Sequence, residues 1–366
     1  MEMLLAPELW RKSCTNTESR LHQISPFIGK LKSVIADDLI EAYSKPGDLI
    51  VDPFAGSGTI PLAALILGRR VFASDISNYS AILTKAKLFP PADLNEALGK
   101  LEEISNNLIV VNDIAWVPDW VRRFFNPNTL AEIISWCEVL RKEGNEFFFA
   151  CLLGILHHQR PGFLSYPSSH LVPYLRDKKF PRDNFPELYE YRPVLPRLRQ
   201  KVIRAFKRIA PQLNVGREVV LAGIDNVVFP DNVNCVITSP PYMNALDYYR
   251  DNRLRLWFIC PEFNLSTIKE PTNYKDDFIN AITTLFVKTD IALIKNGYCI
   301  LILGDLGNKI LDNKYLIDSV STIQTNVAPS LHLENIINDI VPDVRRSRRN
   351  CRGIKEEYIL IYRKVR

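Results

Sequence analysis

Short apolar runs alternate along the chain with longer stretches in which apolar residues recur every three or four positions. Leu49–Val51, Val71–Ser74, Glu218–Leu221, Asn234–Thr238 and Gly297–Leu303 read as strands, several of them continuously apolar, as in strands buried on both faces. Leu333–Val341 and Tyr358–Tyr362 read as a closing hairpin. Helical spacing is clearest at Leu31, Val34, Ile35, Leu39 and Ile40, at Thr59–Leu67, and after Asp75 as far as Pro90 and Pro91. It returns at Ala131–Leu140, Phe147–Leu156, Leu246–Ile259 and Phe278–Ile294. Strand and helix alternate on both sides of a central block, so the chain reads as α/β.

The central block breaks the alternation. From about Asp93 to Arg208 the periodicity is mostly helical, with a proline-punctuated loop over Pro161–Pro196. This divides the chain into a domain made of residues 1–92 and 218–366 and a helical insertion over 93–217. The end of the insertion is basic, carrying Arg176, Lys178, Lys179, Arg182, Arg192, Arg197, Arg199, Lys201, Arg204, Lys207 and Arg208, with Tyr174, Phe180, Phe185, Tyr189 and Tyr191 interleaved. Such a run is ordinarily a solvated face. Cations that neutralise phosphates and aromatics that stack on bases give it a second reading, contact with nucleic acid. Arg345, Arg346, Arg348, Arg349 and Arg352 form another basic cluster on an expected loop.

Candidate chemistry centres on Asp48–Thr59, DLIVDPFAGSGT. A buried strand ends in Asp52, Pro53 and Phe54, turns through Gly56 and Gly58, and enters a helix at Thr59. This is the front of a nucleotide-binding βαβ unit: glycines let a ligand approach the backbone, and the helix start offers unpaired N–H groups. No lysine follows the second glycine, which excludes a phosphate-gripping P-loop. Asp75 ends the next strand, where an acid would reach a ribose hydroxyl. Far downstream, Ile237–Tyr242 reads ITSPPY after another strand.

DPFAGSGT followed by TSPPY resembles the amino-methylating DNA methyltransferases, which methylate cytosine at N4 or adenine at N6 with S-adenosylmethionine. The resemblance implies a Rossmann-like class I methyltransferase fold, a mostly parallel seven-stranded sheet carrying the helical insertion. It implies S-adenosylmethionine as cofactor, held by Asp52, Pro53, Phe54, Gly56, Gly58, Thr59, Asp75 and Ile76. Phe27 and Lys30, just ahead of the glycine motif, would help cover it, and Asp225 would lie near its adenine. Asp113 is a rival for that last role after a shorter apolar run. The catalytic set is Ser239, Pro240, Pro241 and Tyr242: Ser239 and the Pro240 carbonyl orient the target amine, and Tyr242 stacks on a base taken out of the duplex. No metal is required.

Serine at the head of the tetrapeptide favours cytosine N4. Adenine N6 is the alternative, and an RNA amino-methyltransferase a more distant one. Methylation at cytosine carbon 5 needs a cysteine nucleophile, usually after proline, and the chain has no Pro-Cys dipeptide. A non-enzymatic binding protein is disfavoured by the two complete motifs. Duplex DNA is the expected partner, and the insertion the expected region of target recognition. A cognate restriction or defence system is a further candidate partner; oligomeric state and recognition sequence are not legible.

Composition adds bounds. The 366 residues are 47% hydrophobic with a net charge of +5, enough for a sizeable core and compatible with a polyanionic partner. The cysteines, Cys14, Cys137, Cys151, Cys235, Cys260, Cys299 and Cys351, contain no CxxC pair and read as reduced buried thiols. Nothing is long and apolar enough to span a bilayer, so a cytoplasmic protein is expected.

Overall fold

The computed structural model describes residues 5, 7–12, 18–166, 173–208, 214–241, 248–262, 274–305, 313–340 and 356–366. Tyr242 and the Arg345–Arg352 cluster lie outside the described residues. The chain opens with α1 (Pro7–Lys12) and α2 (Ser33–Tyr43), followed by β1 (Leu49–Asp52), α3 (Thr59–Ile66), β2 (Arg70–Asp75) and α4 (Asn78–Leu88). The insertion supplies α5 (Leu94–Asn106), α6 (Asp119–Arg122), α7 (Pro127–Glu143), α8 (Glu146–Leu153), α9 (Pro173–Lys179) and α10 (Val194–Ala205). Then come β3 (Arg217–Leu221), β4 (Val233–Thr238), α11 (Tyr248–Ile259), α12 (Tyr274–Ala292), β5 (Leu293–Asp305), α13 (Asn313–Val327), β6 (Leu331–Ile340) and β7 (Glu356–Lys364).

The seven strands form one sheet in the order β3-β2-β1-β4-β5-β7-β6. Pairing is parallel from β3 through β5, whereas β7 runs antiparallel to both β5 and β6. This is the mostly parallel, seven-stranded Rossmann-like sheet that the resemblance implies. The order reverses at β1 and β4, so their carboxyl ends flank the topological switch point where open α/β sheets bind ligands.

Side chains alternate across the sheet with period two. Leu49, Val51, Val236, Cys299, Leu301, Leu360 and Tyr362 face a core shared with Phe278, Ile282, Leu285 and Phe286 of α12 and Val320 of α13. Ile50, Cys235, Ile237, Ile300, Ile302, Ile359 and Ile361 face the opposite core, with Ile35, Leu39 and Ile40 of α2 and Ile60, Ala63 and Ala64 of α3. The central strands are thus buried on both faces, as their unbroken apolar runs require. Cys137, Cys151, Cys235 and Cys299 are buried free thiols.

Helices α5–α10 enter between β2 and β3. They share a continuous apolar core with α4 and α11, in which Leu83 and Ala86 of α4 and Trp257 and Phe258 of α11 meet Trp136, Phe148, Leu152 and Leu198. The proline-punctuated loop expected over Pro161–Pro196 contains α9, a 3-10 turn at Pro186–Tyr189 and the start of α10. Proline suits the first turn of a helix, where its missing N–H would be unpaired anyway, and α9 and the 3-10 turn each start on a proline. Helix α13 carries Leu316, Ile317, Val320, Ile323 and Val327 at helical spacing. Among the described residues no helix is long and apolar enough to cross a membrane.

Gly154, at the end of α8, packs against the N-terminal segment so closely that an added Cβ would stand 2.3 Å from the Ile24 carbonyl oxygen. Backbone lies on both sides of that contact. Gly154→Ala should therefore destabilise the fold by about 1–3 kcal/mol in chemical denaturation; an unchanged midpoint would show that the two segments separate freely.

Candidate active site

The glycine turn is built by three elements. β1 ends at Asp52, the chain turns through Gly56 (φ 51°) and Gly58 (φ 71°), and α3 begins at Thr59. Both glycines are left-handed, a conformation that side chains disfavour. The Ala55 amide donates to the Ser74 carbonyl (3.0 Å), binding the turn to the end of β2. Within the turn, the Ser57 and Thr59 hydroxyls are hydrogen-bonded at 2.8 Å.

Asp75 closes the turn from the side. Its Oδ2 accepts from the Gly56 amide (2.8 Å), and its Oδ1 from the Ser77 amide (2.8 Å). The Ser80 hydroxyl donates to the same carboxylate, although burial outweighs these bonds and pushes its pKa up. A carboxylate has about four lone-pair sites, so acceptor capacity remains. The next residue, Ile76, is 70% exposed and lies over Gly223, where an added Cβ would meet its Cδ1 at 3.3 Å.

Asp52 joins the two motifs. It is 2% exposed, and its Oδ1 accepts from the Thr238 hydroxyl (2.7 Å) and the Phe54 amide (3.3 Å). Thr238 is the last residue of β4, the parallel neighbour of β1, so Ser239 and Pro240 leave the sheet beside the glycine turn. Ser239 is half-buried, Pro240 buried and Pro241 exposed. Burial raises the Asp52 pKa from 3.8 to about 7, against its hydrogen bonds and with the Asp75 charge adding to the rise.

Phe27 covers the turn: an added Cβ on Gly56 would meet its ring at 3.5 Å. Phe27 in turn stacks on Tyr79 (6.0 Å, 26°), whose hydroxyl bonds Ser25 Oγ (2.7 Å) and the Pro26 carbonyl (2.6 Å). Lys30 sits nearby with its ammonium on the His22 carbonyl (2.8 Å), and burial lowers its pKa. Asp225 stands apart. It is exposed four residues beyond β3, with its carboxylate accepting from Thr284 Oγ1 (3.4 Å) and its carbonyl from Lys288 (3.0 Å), both on α12. Its rival Asp113 follows no strand and caps the Ala115 amide (2.7 Å) within the insertion.

Two groups went unread in the sequence. Lys87 of α4 is 2% exposed and donates to the Ser57 carbonyl inside the turn; burial and the neighbouring Lys30 charge lower its pKa well below the usual value. Thr84, on the same face one turn earlier, touches Gly58. No motif marks them, because a lysine in an Ala- and Leu-rich helix ordinarily faces water. Burial raises the Tyr249 pKa in the first turn of α11, with the Asp75 charge adding to the rise, so α11 returns the chain toward the glycine turn after the proline motif.

The basic stretch of the insertion divides. Arg176 is buried, Lys201 donates to the Gln23 carbonyl (3.0 Å), and Arg197 donates to the Pro193 carbonyl (3.1 Å). Lys178, Lys179, Arg182, Arg199, Arg204, Lys207 and Arg208 are exposed. Among the described residues no group of His, Cys, Asp and Glu could hold a metal ion.

A family model described as DNA methylase matches residues 8–85, the stretch that holds the Phe27 cover, the glycine turn and Asp75. A type II methyltransferase of Methanocaldococcus jannaschii is 30% identical over 94 residues, which are 24% of this chain and 18% of that protein. Both matches support kinship with an amino-methyltransferase family, over a minor part of the chain. Among solved structures, TrmN from Thermus thermophilus aligns at 11% identity and TM-score 0.39, covering 95% of this chain and 53% of that one. A methyltransferase from Pyrococcus furiosus aligns at 10% identity and TM-score 0.38, covering 98% and 97%. These likenesses are remote, and the fold assignment rests on the strand order.

Two outcomes test this geometry. An added Cβ on Gly58 would lie 2.7 Å from Thr84 Oγ1 and 3.0 Å from its Cα. With left-handed strain of about 1–2 kcal/mol and overpacking of about 1–3 kcal/mol, Gly58→Ala should destabilise by about 2–5 kcal/mol; a loss below 1 kcal/mol would show that the turn yields. Because the folded Asp52 prefers its proton, its contribution to stability is greatest below pH 3.8 and is lost as pH rises to about 7. Asp52→Asn keeps an acceptor for Thr238 and removes the titration. Its unfolding free energy should lose a slope of up to about 1.4 kcal/mol per pH unit across that window, whereas parent-like pH dependence would mean that Asp52 titrates normally.

Proposed function

We propose that this chain is an S-adenosylmethionine-dependent DNA methyltransferase that modifies the exocyclic N4 amine of cytosine. The observation that carries the proposal is the Asp52–Thr238 hydrogen bond, which fixes the glycine turn and the Ser239–Pro240 segment as one unit at the switch point of the sheet. The residues fit the cofactor: left-handed glycines open the backbone, the Asp75 carboxylate keeps acceptor capacity for ribose hydroxyls, and the exposed Ile76 offers an apolar face to a purine. Phe27, Asp52, Pro53, Phe54, Gly56, Gly58, Thr59, Asp75 and Ile76 would hold it. Lys30 acts by anchoring the covering segment through the His22 carbonyl. Asp225, beyond the end of β3, would lie near the adenine.

When bound, S-adenosylmethionine supplies an electrophilic methyl group on a sulfonium. The protein's task is to hold the amine. An aromatic exocyclic amine is a weak nucleophile because its lone pair is delocalised into the ring. Acceptors at Ser239 Oγ and the Pro240 carbonyl would draw its hydrogens out of the ring plane. Pro240 is buried and followed by another proline, so its carbonyl direction is set by a stiff backbone. Alignment and fixed dipoles then supply the rate. Tyr242 would stack on the flipped base, and the exposed cations of the insertion would contact the DNA backbone.

Ser239→Ala should slow methyl transfer at least about tenfold while leaving cofactor affinity near the parent's, because the lost acceptor serves the amine. Transfer at the parent rate would remove Ser239 from the mechanism. Digestion of methylated duplex DNA to nucleosides, with identification by mass and retention, should yield N4-methylcytosine. N6-methyladenine would overturn the base assignment and keep the amine mechanism; 5-methylcytosine would overturn both.

A further inference from the structure

The insertion buries polar hydrogens that have nothing to bond. Tyr166 is 1% exposed and Arg176 0%, yet the Tyr166 hydroxyl and Arg176 Nη1 have no hydrogen-bond partner, and neither does the buried Nε of Arg192. Leaving such a group unpaired costs about 1–3 kcal/mol, so each needs an explanation.

These groups belong to one cluster. The Tyr166 and Tyr189 rings lie 4.4 Å apart. The Arg176 guanidinium sits 4.6 Å from the Tyr166 ring centre and 5.5 Å from that of Tyr189. Arg182 takes a second place over the same rings, at 6.0 and 4.7 Å. Arg192 donates to the Pro161 (3.1 Å) and Phe163 (3.5 Å) carbonyls, in the segment that leads into Tyr166. Asp177 answers Arg176 through one oxygen, which accepts from Nε (2.9 Å), Nη2 (2.6 Å) and the Tyr189 hydroxyl (3.2 Å). Glu190 acts on Arg192 from the exposed rim. Three arginines against two acids leave the cluster positive, with buried donors still open.

We propose that Tyr166, Arg176, Arg182 and Arg192 form a phosphate-binding pocket that takes one phosphodiester of the DNA backbone. The open groups are donors on both hydroxyl and guanidinium, which suits a tetrahedral oxyanion with acceptors in several directions. The exposed Lys178, Lys179 and Arg199 of the same stretch exceed what a free phosphate would need. The choice of DNA over a free phosphorylated compound rests on the proposed function; the pocket itself does not.

Tyr166→Phe gives a test with opposed signs. It keeps the ring stack and deletes a buried, unpaired hydroxyl, so the variant should melt at or above the parent temperature. It should nonetheless bind duplex DNA about three- to tenfold more weakly and show a smaller thermal shift on adding inorganic phosphate. Arg182→Ala, at an exposed position, should lower the slope of log affinity against log salt by about one. Parent-like DNA affinity, salt slope and phosphate shift in both variants would overturn the pocket. If the phosphate shift falls while DNA binding does not, the phosphodiester assignment is overturned. Absence of DNA binding by the parent would refute the DNA reading itself, whereas a phosphate shift lost in Tyr166→Phe would still support the pocket.

Discussion

The site depends on a single buried carboxylate. Asp52 sits at the end of a strand covered on both faces, where an unpartnered acid would be expelled or neutralised. It is kept by the Thr238 hydroxyl from the neighbouring strand and by the Phe54 amide from its own turn. Those bonds tie the register of β1 and β4 to the path of the glycine turn. The glycine turn and the proline motif are far apart in sequence but meet at this one oxygen.

Helix α4 is the second support. Tyr79, Ser80, Thr84 and Lys87 touch the covering segment, Asp75, Gly58 and Ser57 in turn. One helix therefore sets the floor, side and cover of the turn. The same helix shares its apolar face with the insertion and pairs Lys85 with Glu146 of α8 (3.3 Å), so distortion among α5–α10 would be felt at the site through packing and this ion pair.

Much of this was legible in the sequence. Strands buried on both faces announce themselves as unbroken apolar runs, and glycine beside a strand end announces a turn that side chains cannot make. The resemblance, rather than the residue pattern, pointed to Phe27, whose ring lies against Gly56. What escaped has physical reasons. Lys87 looks like a surface lysine because its burial depends on where α4 packs, which periodicity alone does not reveal. The prolines of 161–196 read as breakers although several initiate helices. Arg176 read as one surface cation in a basic run, but it is buried, stacked on Tyr166 and Tyr189 and bonded to Asp177. Asp225 came from the resemblance, as the acid beyond the tip of β3, and its contacts to Thr284 and Lys288 of α12 follow from packing that no local pattern shows.

The central claim is that one hydrogen bond makes the two motifs a functional unit. Thr238→Val preserves the β-branched shape and deletes the hydroxyl that holds Asp52. With folding verified by thermal melting, cofactor affinity by calorimetry and methyl-transfer rate should fall together, each by about 1–3 kcal/mol, because turn and amine acceptors lose the same anchor. A variant that binds S-adenosylmethionine and transfers methyl groups as the parent does would contradict the account.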